Sequence, residues 1–185
     1  MKLVSGLGVR RSGAATLVLA LALPLGAGEA RADAVRRAGD VGAVLLPVGA
    51  ATGAILAKDH QGLGQLAKAY ASAMALVYVL KPLVKRTRPD GGDQSFPSGH
   101  SASAFAGAAF LQMRYGWRLG VPAYAMAAFV GYSRVEAKRH YTSDVVAGAA
   151  IGIGANLVFT RPREHVSVSL NAGRGHAAAS VTFSW

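Results

Sequence analysis

Five apolar runs separated by short polar breaks leave this chain few ways to fold. They cover residues 41–57, 66–80, 101–113, 119–132 and 145–159. Each is long enough for a helix, and several fall just short of the roughly 17–25 residues of a bilayer-spanning helix. Flanking residues and tilt make up such a difference. None shows the polar face that a soluble surface helix carries. Hydrophobic residues make up 52% of the chain and charged ones 16%, and the abundant Ala and Gly suit close helix contact inside a membrane. The expected fold class is therefore all-α, a transmembrane helical bundle of five spans. A soluble, Ala-rich bundle is the competing reading.

The ends have a different character. Lys2, Arg10 and Arg11 precede an apolar stretch at 14–25, and Ala30-Arg31-Ala32 then supplies an A-x-A cleavage pattern before Asp33. Residues 1–32 read as a secretory signal peptide, the alternative being a first helix that is kept. Residues 33–160 form the helical domain and 161–185 a tail. In the tail, 165–170 and 180–185 alternate with period two around the turn residues at 171–175, which predicts a β-hairpin.

The formal charge is +11. Nucleic acid is not the expected partner, because the cations cluster at the polar breaks and do not form a stripe with interleaved aromatics. The absence of cysteine excludes disulfides, thiolate catalysis and Cys-ligated zinc.

Three of the breaks carry the chemistry. The first runs from Lys81 to Arg88-Pro89, the second is Pro97-Ser98-Gly99-His100, and the third runs from Ser133-Arg134 through His140 to Asp144. Lys81, Arg88 and Arg134 can neutralise a phosphate, the arginines by bidentate contacts. The Pro97–His100 turn opens a helical run, so its backbone N–H groups can meet an anion. His140 and Asp144 are four residues apart. An aspartate accepting from one ring nitrogen fixes the tautomer and leaves the other nitrogen free to attack phosphorus. His100 is then available as a general acid for the leaving oxygen. Any one of these cations or histidines alone is more simply a helix-end or structural residue; their convergence argues otherwise. His60, His165 and His176 fit no motif. Lys85, Arg86, Lys138 and Arg139 suit lipid headgroups or a solvated face equally.

The joint pattern Lys-x6-Arg-Pro, Pro-Ser-Gly-His and Ser-Arg-x5-His-x3-Asp resembles that of the type 2 phosphatidic acid phosphatases (PAP2), relatives of the vanadium haloperoxidases. Every defining position matches, from Lys81 to Asp144. The resemblance implies a PAP2-like helical core and a reaction needing neither metal nor other cofactor. It casts His140 as the nucleophile, Asp144 as its orienting partner and His100 as the acid. Lys81, Arg88, Ser98, Gly99 and Arg134 would hold the phosphoryl oxygens.

With a signal peptide at the start, the spans place all three breaks on one face, the periplasmic side of a bacterial inner membrane. The outward breaks are the more basic ones, opposite to the positive-inside rule, as an anion site there would require. The expected function is a phosphatase acting on a phosphorylated lipid, a phosphate monoester or diphosphate, through a phosphohistidine. A soluble periplasmic acid phosphatase, a vanadium-dependent haloperoxidase and a non-catalytic binder of phosphorylated lipid are the alternatives.

Overall fold

The computed structural model describes residues 28–163, 166–173 and 176–183. Five helices follow one another: α1 (Gly28–Leu56), α2 (His60–Val84), α3 (Gly99–Tyr115), α4 (Trp117–Glu136) and α5 (Thr142–Phe159). Each apolar run of the sequence falls on one of them, the first running one residue past the end of α1. α1 starts well before its apolar run, and its early turns carry ion pairs of Arg36 and Arg37 with Asp33 at i,i+3 and i,i+4. The residues expected to form a cleavage junction thus lie in this helix, whereas residues 1–27 fall outside the described residues. Asp59 caps α2, its carboxylate accepting from the Gly62 N–H at 2.8 Å.

α3 is the axis of the bundle. It packs against all four other helices, and its buried residues cover its whole circumference. Ala102, Ala104, Ala106, Ala108 and Ala109 fill the interior, with Phe110 the large exception. The exterior reverses this pattern, since Leu56, Val79, Leu83, Val121, Val146 and Leu157 are all exposed. Small residues inside and large apolar ones outside mark a bundle whose solvent is hydrocarbon. In water so much exposed apolar surface would drive association.

Three helices are long and apolar enough to cross a membrane: Ala30–Leu56, His60–Val84 and Thr142–Phe159. Of the five expected spans, α1, α2 and α5 thus have the length and composition of a lipid-crossing helix by themselves, and α3 and α4 do not. α3 is surrounded by protein and tolerates Ser101 and Ser103; α4 is diluted by Arg118, Pro122 and Arg134.

α5 meets α3 through one stripe at four-residue spacing: Asp144, Gly148, Gly152 and Asn156. A Cβ at Gly148 would overlap the carbonyl oxygen of Ser98, and one at Gly152 that of Ala102. The two backbones are thus in direct contact. Asn156 closes the stripe by donating to the Ala106 carbonyl at 2.9 Å. At the end away from the site, buried Arg114 donates to Asp59 through Nε at 2.7 Å and Nη2 at 2.6 Å. The guanidinium holds the Asp59 carboxyl well below the usual carboxylate range. Beyond the bundle, β1 (Val166–Gly173) and β2 (His176–Phe183) pair antiparallel with Val166 opposite Phe183. Among the described residues, the site is built from the helices and their connections.

Replacing Gly152 by Ala is expected to destabilise the protein by about 1–3 kcal/mol, the usual cost of overpacking. Gly154, two residues on, has open space around its Cβ position, so Gly154→Ala is expected to be neutral or stabilising. Thermal inactivation of both variants in detergent checks the pair; equal behaviour would contradict the α3–α5 contact.

Candidate active site

The α3–α5 contact brings two turns together. Ser98 caps α3, its Oγ accepting from the N–H of Ser101 at 3.3 Å and from the Ser101 hydroxyl at 3.0 Å. The Ser98 N–H donates to the Asp144 carbonyl at 3.0 Å, so the starts of α3 and α5 are tied by backbone as well.

His140 lies in the connection before α5 and is only 4% exposed. Its Nδ1 is 2.7 Å from the carbonyl oxygen of Ser95. A carbonyl only accepts, so Nδ1 carries the hydrogen and Nε2 keeps its lone pair. The residues from 137 to 141 form turns and not helix, so the i,i+4 geometry does not arise. Asp144 Oδ2 stands 3.8 Å from Nδ1, beyond a hydrogen bond. The sequence-based expectation that Asp144 accepts directly from the ring is thereby corrected. Asp144 is fully buried and acts as a hub: Oδ2 accepts from the Ser95 hydroxyl at 2.5 Å and the Tyr141 N–H at 2.9 Å, and Oδ1 from Arg86 Nη1 at 2.8 Å. Its influence on His140 runs through Ser95, which it holds by the hydroxyl while the carbonyl of the same residue holds the ring.

Burial pushes the His140 ring down to about 4, helped by the nearby charges of Arg88 and Lys81 and opposed by the Ser95 carbonyl and Asp144. A lowered pKa means that the neutral form persists to lower pH, so the ring is uncharged from about pH 5 upward.

His140 faces a cavity of about 340 Å³ whose polar wall includes Lys81, Arg88, Gly99, His100 and Arg134. Lys81 reaches it from the end of α2, its Nζ donating to the Gln94 carbonyl at 2.9 Å. Among the described residues, Arg88 Nε is a buried donor without a partner. Such an orphan costs free energy unless an acceptor arrives, and an anion entering this cavity would supply one. Arg134 is 3% exposed and is held by Asp40 through Nη1, at 2.5 Å, and by the Arg36 carbonyl through Nη2, at 2.6 Å. His100 Nε2 lies 3.1 Å from the same Asp40 carboxylate, and the His100 side chain is 45% exposed. The other wall is apolar, with Ala43 and Val44 of α1 facing Met74, Val77 and Tyr78 of α2.

The structure thus gathers His140, His100, Lys81, Arg88, Gly99 and Arg134 around one cavity. Ser98 and Asp144 lie behind it, engaged with protein groups. Arg86 and Arg139 are not free headgroup cations. Arg86 holds Asp144 and stacks over the Tyr141 ring at 4.1 Å, and Arg139 pairs with Asp90 at 2.8 Å. His60 is exposed; the side chains of His165 and His176 lie outside the described residues. Sequence reasoning missed Ser95, Asp40 and the structural part of Arg86.

Residues 62–164 match the PAP2 superfamily. The chain belongs to that superfamily. A lipid A 4'-phosphatase of Helicobacter pylori is 33% identical over 135 residues, 65% of this chain and 68% of the relative. A lipid A 1-phosphatase of Porphyromonas gingivalis is 49% identical over 72 residues, 37% of this chain and 16% of the relative. Among solved structures, Aquifex aeolicus LpxE superposes with a TM-score of 0.62 at 23% identity, covering 69% of this chain and 83% of that one. A transmembrane PAP2-type phosphatidylglycerolphosphate phosphatase of Bacillus subtilis gives 0.54 at 25% identity, with 69% and 74% covered. The chain is accordingly a PAP2-type phosphatase and a membrane protein. The family match takes in α2 to α5 and every motif residue, and leaves out α1 with Asp40.

The PAP2 site geometry is checked by nitrogen-15 NMR of histidine-labelled protein. His140 is expected to remain neutral, with its hydrogen on Nδ1, from pH 8 down to about 5, and to titrate near 4. A midpoint near the ordinary histidine value would contradict this arrangement.

Proposed function

We propose that this chain removes phosphate from lipid phosphate monoesters or diphosphates at the periplasmic face of a bacterial inner membrane, through a phosphohistidine on His140. One observation carries the reading. A neutral histidine, with Nδ1 engaged and Nε2 unprotonated, shares a cavity with Arg88, whose Nε has no partner among the described residues, and that cavity continues along an apolar wall between α1 and α2.

The reaction follows from these groups. The Nε2 lone pair attacks phosphorus, an N–P bond forms, and the P–O bond to the leaving group breaks. His100 gives its proton to the departing oxygen. Arg88, Lys81 and Arg134 hold the charge that builds on the equatorial oxygens. Water then attacks the phosphohistidine, losing a proton to His100. The N–P bond breaks, inorganic phosphate leaves, and both rings return to their starting states. With a diphosphate, the leaving group is the lipid phosphate and the steps are the same.

The apolar wall favours a substrate whose phosphate is attached to hydrocarbon, since Val44, Met74, Val77 and Tyr78 offer nothing to a small polar alcohol. The relatives named lipid A phosphatases place lipid A phosphates first among substrates to try, followed by phosphatidylglycerophosphate, phosphatidate and undecaprenyl diphosphate.

Phosphate release from those four lipids, each in mixed micelles, tests the reading. Wild-type protein is expected to turn over at least one, and His140→Ala to lose roughly 10³-fold or more, as removal of a nucleophile does. Undiminished release by the variant would sink the mechanism. The chain has no cysteine, so its orientation is open to a clean test. A cysteine at Glu136, exposed at the site end, is expected to react with a membrane-impermeant maleimide in intact spheroplasts, whereas one at Arg118 is expected to be protected. The reverse pattern would place the site in the cytoplasm.

A further inference from the structure

Asp40 is a carboxylate in the wall of a cavity built for an anion. It belongs to α1, outside the matched family region. One oxygen, Oδ1, stands 3.1 Å from His100 Nε2 and 2.5 Å from Arg134 Nη1. The other, Oδ2, lies 3.7 Å from Arg36 Nη1. The backbone around it is built for this approach. At the preceding residue, Gly39, a Cβ would overlap the Ser133 hydroxyl and come within 2.7 Å of Arg134 Nη2. Glycine there lets α1 lie directly on the end of α4, so that a side chain as short as aspartate reaches both partners.

We propose that Asp40 is a positioning residue for the leaving-group acid: its carboxylate bridges the His100 ring to the Arg134 guanidinium and keeps that ring oriented and protonated for the leaving oxygen. The proposal rests on the reading of His100 as the proton donor. Cations face His100 from nearly every side: Arg134 from α4, Lys81 from α2 and Arg88 from the α2–α3 connection. Arg36 of α1 and Arg139 of the α4–α5 connection line the same cavity, as does the neutral ring of His140. Burial first, and then these positive charges, make an imidazolium here lose its proton readily. Asp40 is the carboxylate in contact with it and supplies the opposing charge. When the P–O bond breaks, the Nδ1 proton of His100 passes to the leaving oxygen, and the ring becomes neutral with its remaining hydrogen on Nε2, still donated to Asp40. The carboxylate is unchanged and still paired with Arg134.

The alternative is that Asp40 only anchors Arg134, and leaving-group dependence separates the two. An alkyl phosphate must have its poor leaving group protonated, whereas 4-nitrophenyl phosphate departs as a stable anion. Wild type, Asp40→Asn and His100→Asn are compared on a long-chain alkyl phosphate and on 4-nitrophenyl phosphate, with kcat/KM followed against pH. His100→Asn is expected to lose roughly 10²–10⁴-fold on the alkyl ester and far less on the aryl ester. Asp40→Asn is expected to show the same selectivity at smaller size, on the order of 10-fold against less than about threefold, because the acid itself remains. Its alkaline limb is expected to move to lower pH, since the imidazolium is no longer supported. The ratio of two substrates in one preparation does not depend on how much of the variant folds. Equal losses on both esters with an unmoved limb would make Asp40 an anchor of Arg134 alone and overturn the proposal. Equal losses for His100→Asn would overturn the acid reading, and the role of Asp40 with it.

Discussion

The contact that everything else depends on is backbone against backbone, where α5 lies on α3 at Gly148 and Gly152. With no side chain between them, the two helices start at the same level. The Ser98 N–H can then reach the Asp144 carbonyl, and the turn that opens α3 stands beside the turn that opens α5. Separating the helices by one methyl group would move His140 relative to Gly99 and His100, and a misplacement of about 1 Å in such a site can cost 10²-fold in rate. The same economy recurs where α1 meets its neighbours. A Cβ at Gly107 would come within 2.7 Å of the Pro47 nitrogen, and Gly39 brings Asp40 to the site. A core of alanine and glycine gains little from hydrophobic burial in a membrane; it gains proximity and dispersion contacts.

On that scaffold the electrostatics are arranged in two layers. Asp144 sits behind His140 and spends its acceptor capacity on Ser95, Tyr141 and Arg86. It fixes the loop whose carbonyl fixes the ring. In front, Lys81, Arg88 and Arg134 crowd a cavity in which His140 is neutral. In the proposed reaction Lys81 and Arg88 add to burial in lowering the proton affinity of the His140 ring, and all three cations attract the phosphate. Their cost falls on His100, which must carry a proton in the same field, and Asp40 offsets it from a helix that the family motifs do not include.

The sequence made the site legible where residue type carries the chemistry. Two histidines, three cations and a Pro-Ser-Gly-His turn each announce themselves by what they are, and those histidines, the cations and Gly99 line one cavity. It was silent where position does the work. Ser95 acts through its main-chain carbonyl, which any residue possesses, so nothing in the letters marks it. Asp40 lies about 60 residues before His100 and is joined to it only by packing. The four-residue spacing of His140 and Asp144 suggested a direct bond that a helix would have made, but a turn precedes α5 and Ser95 fills the gap. The five apolar runs gave five helices; they could not show that α3 would be enclosed by the other four and freed from the composition of a lipid-facing span.

The proposed reaction turns on a covalent bond between His140 and phosphorus. A substrate labelled with phosphorus-32 in the reacting phosphate, mixed with enzyme and quenched within milliseconds, reports it. A phosphohistidine predicts a protein-bound label that is stable to alkali, lost in acid, and located on the peptide carrying His140. Turnover that proceeds without any bound label when later steps are slowed by cooling, or a label on another residue, would contradict it.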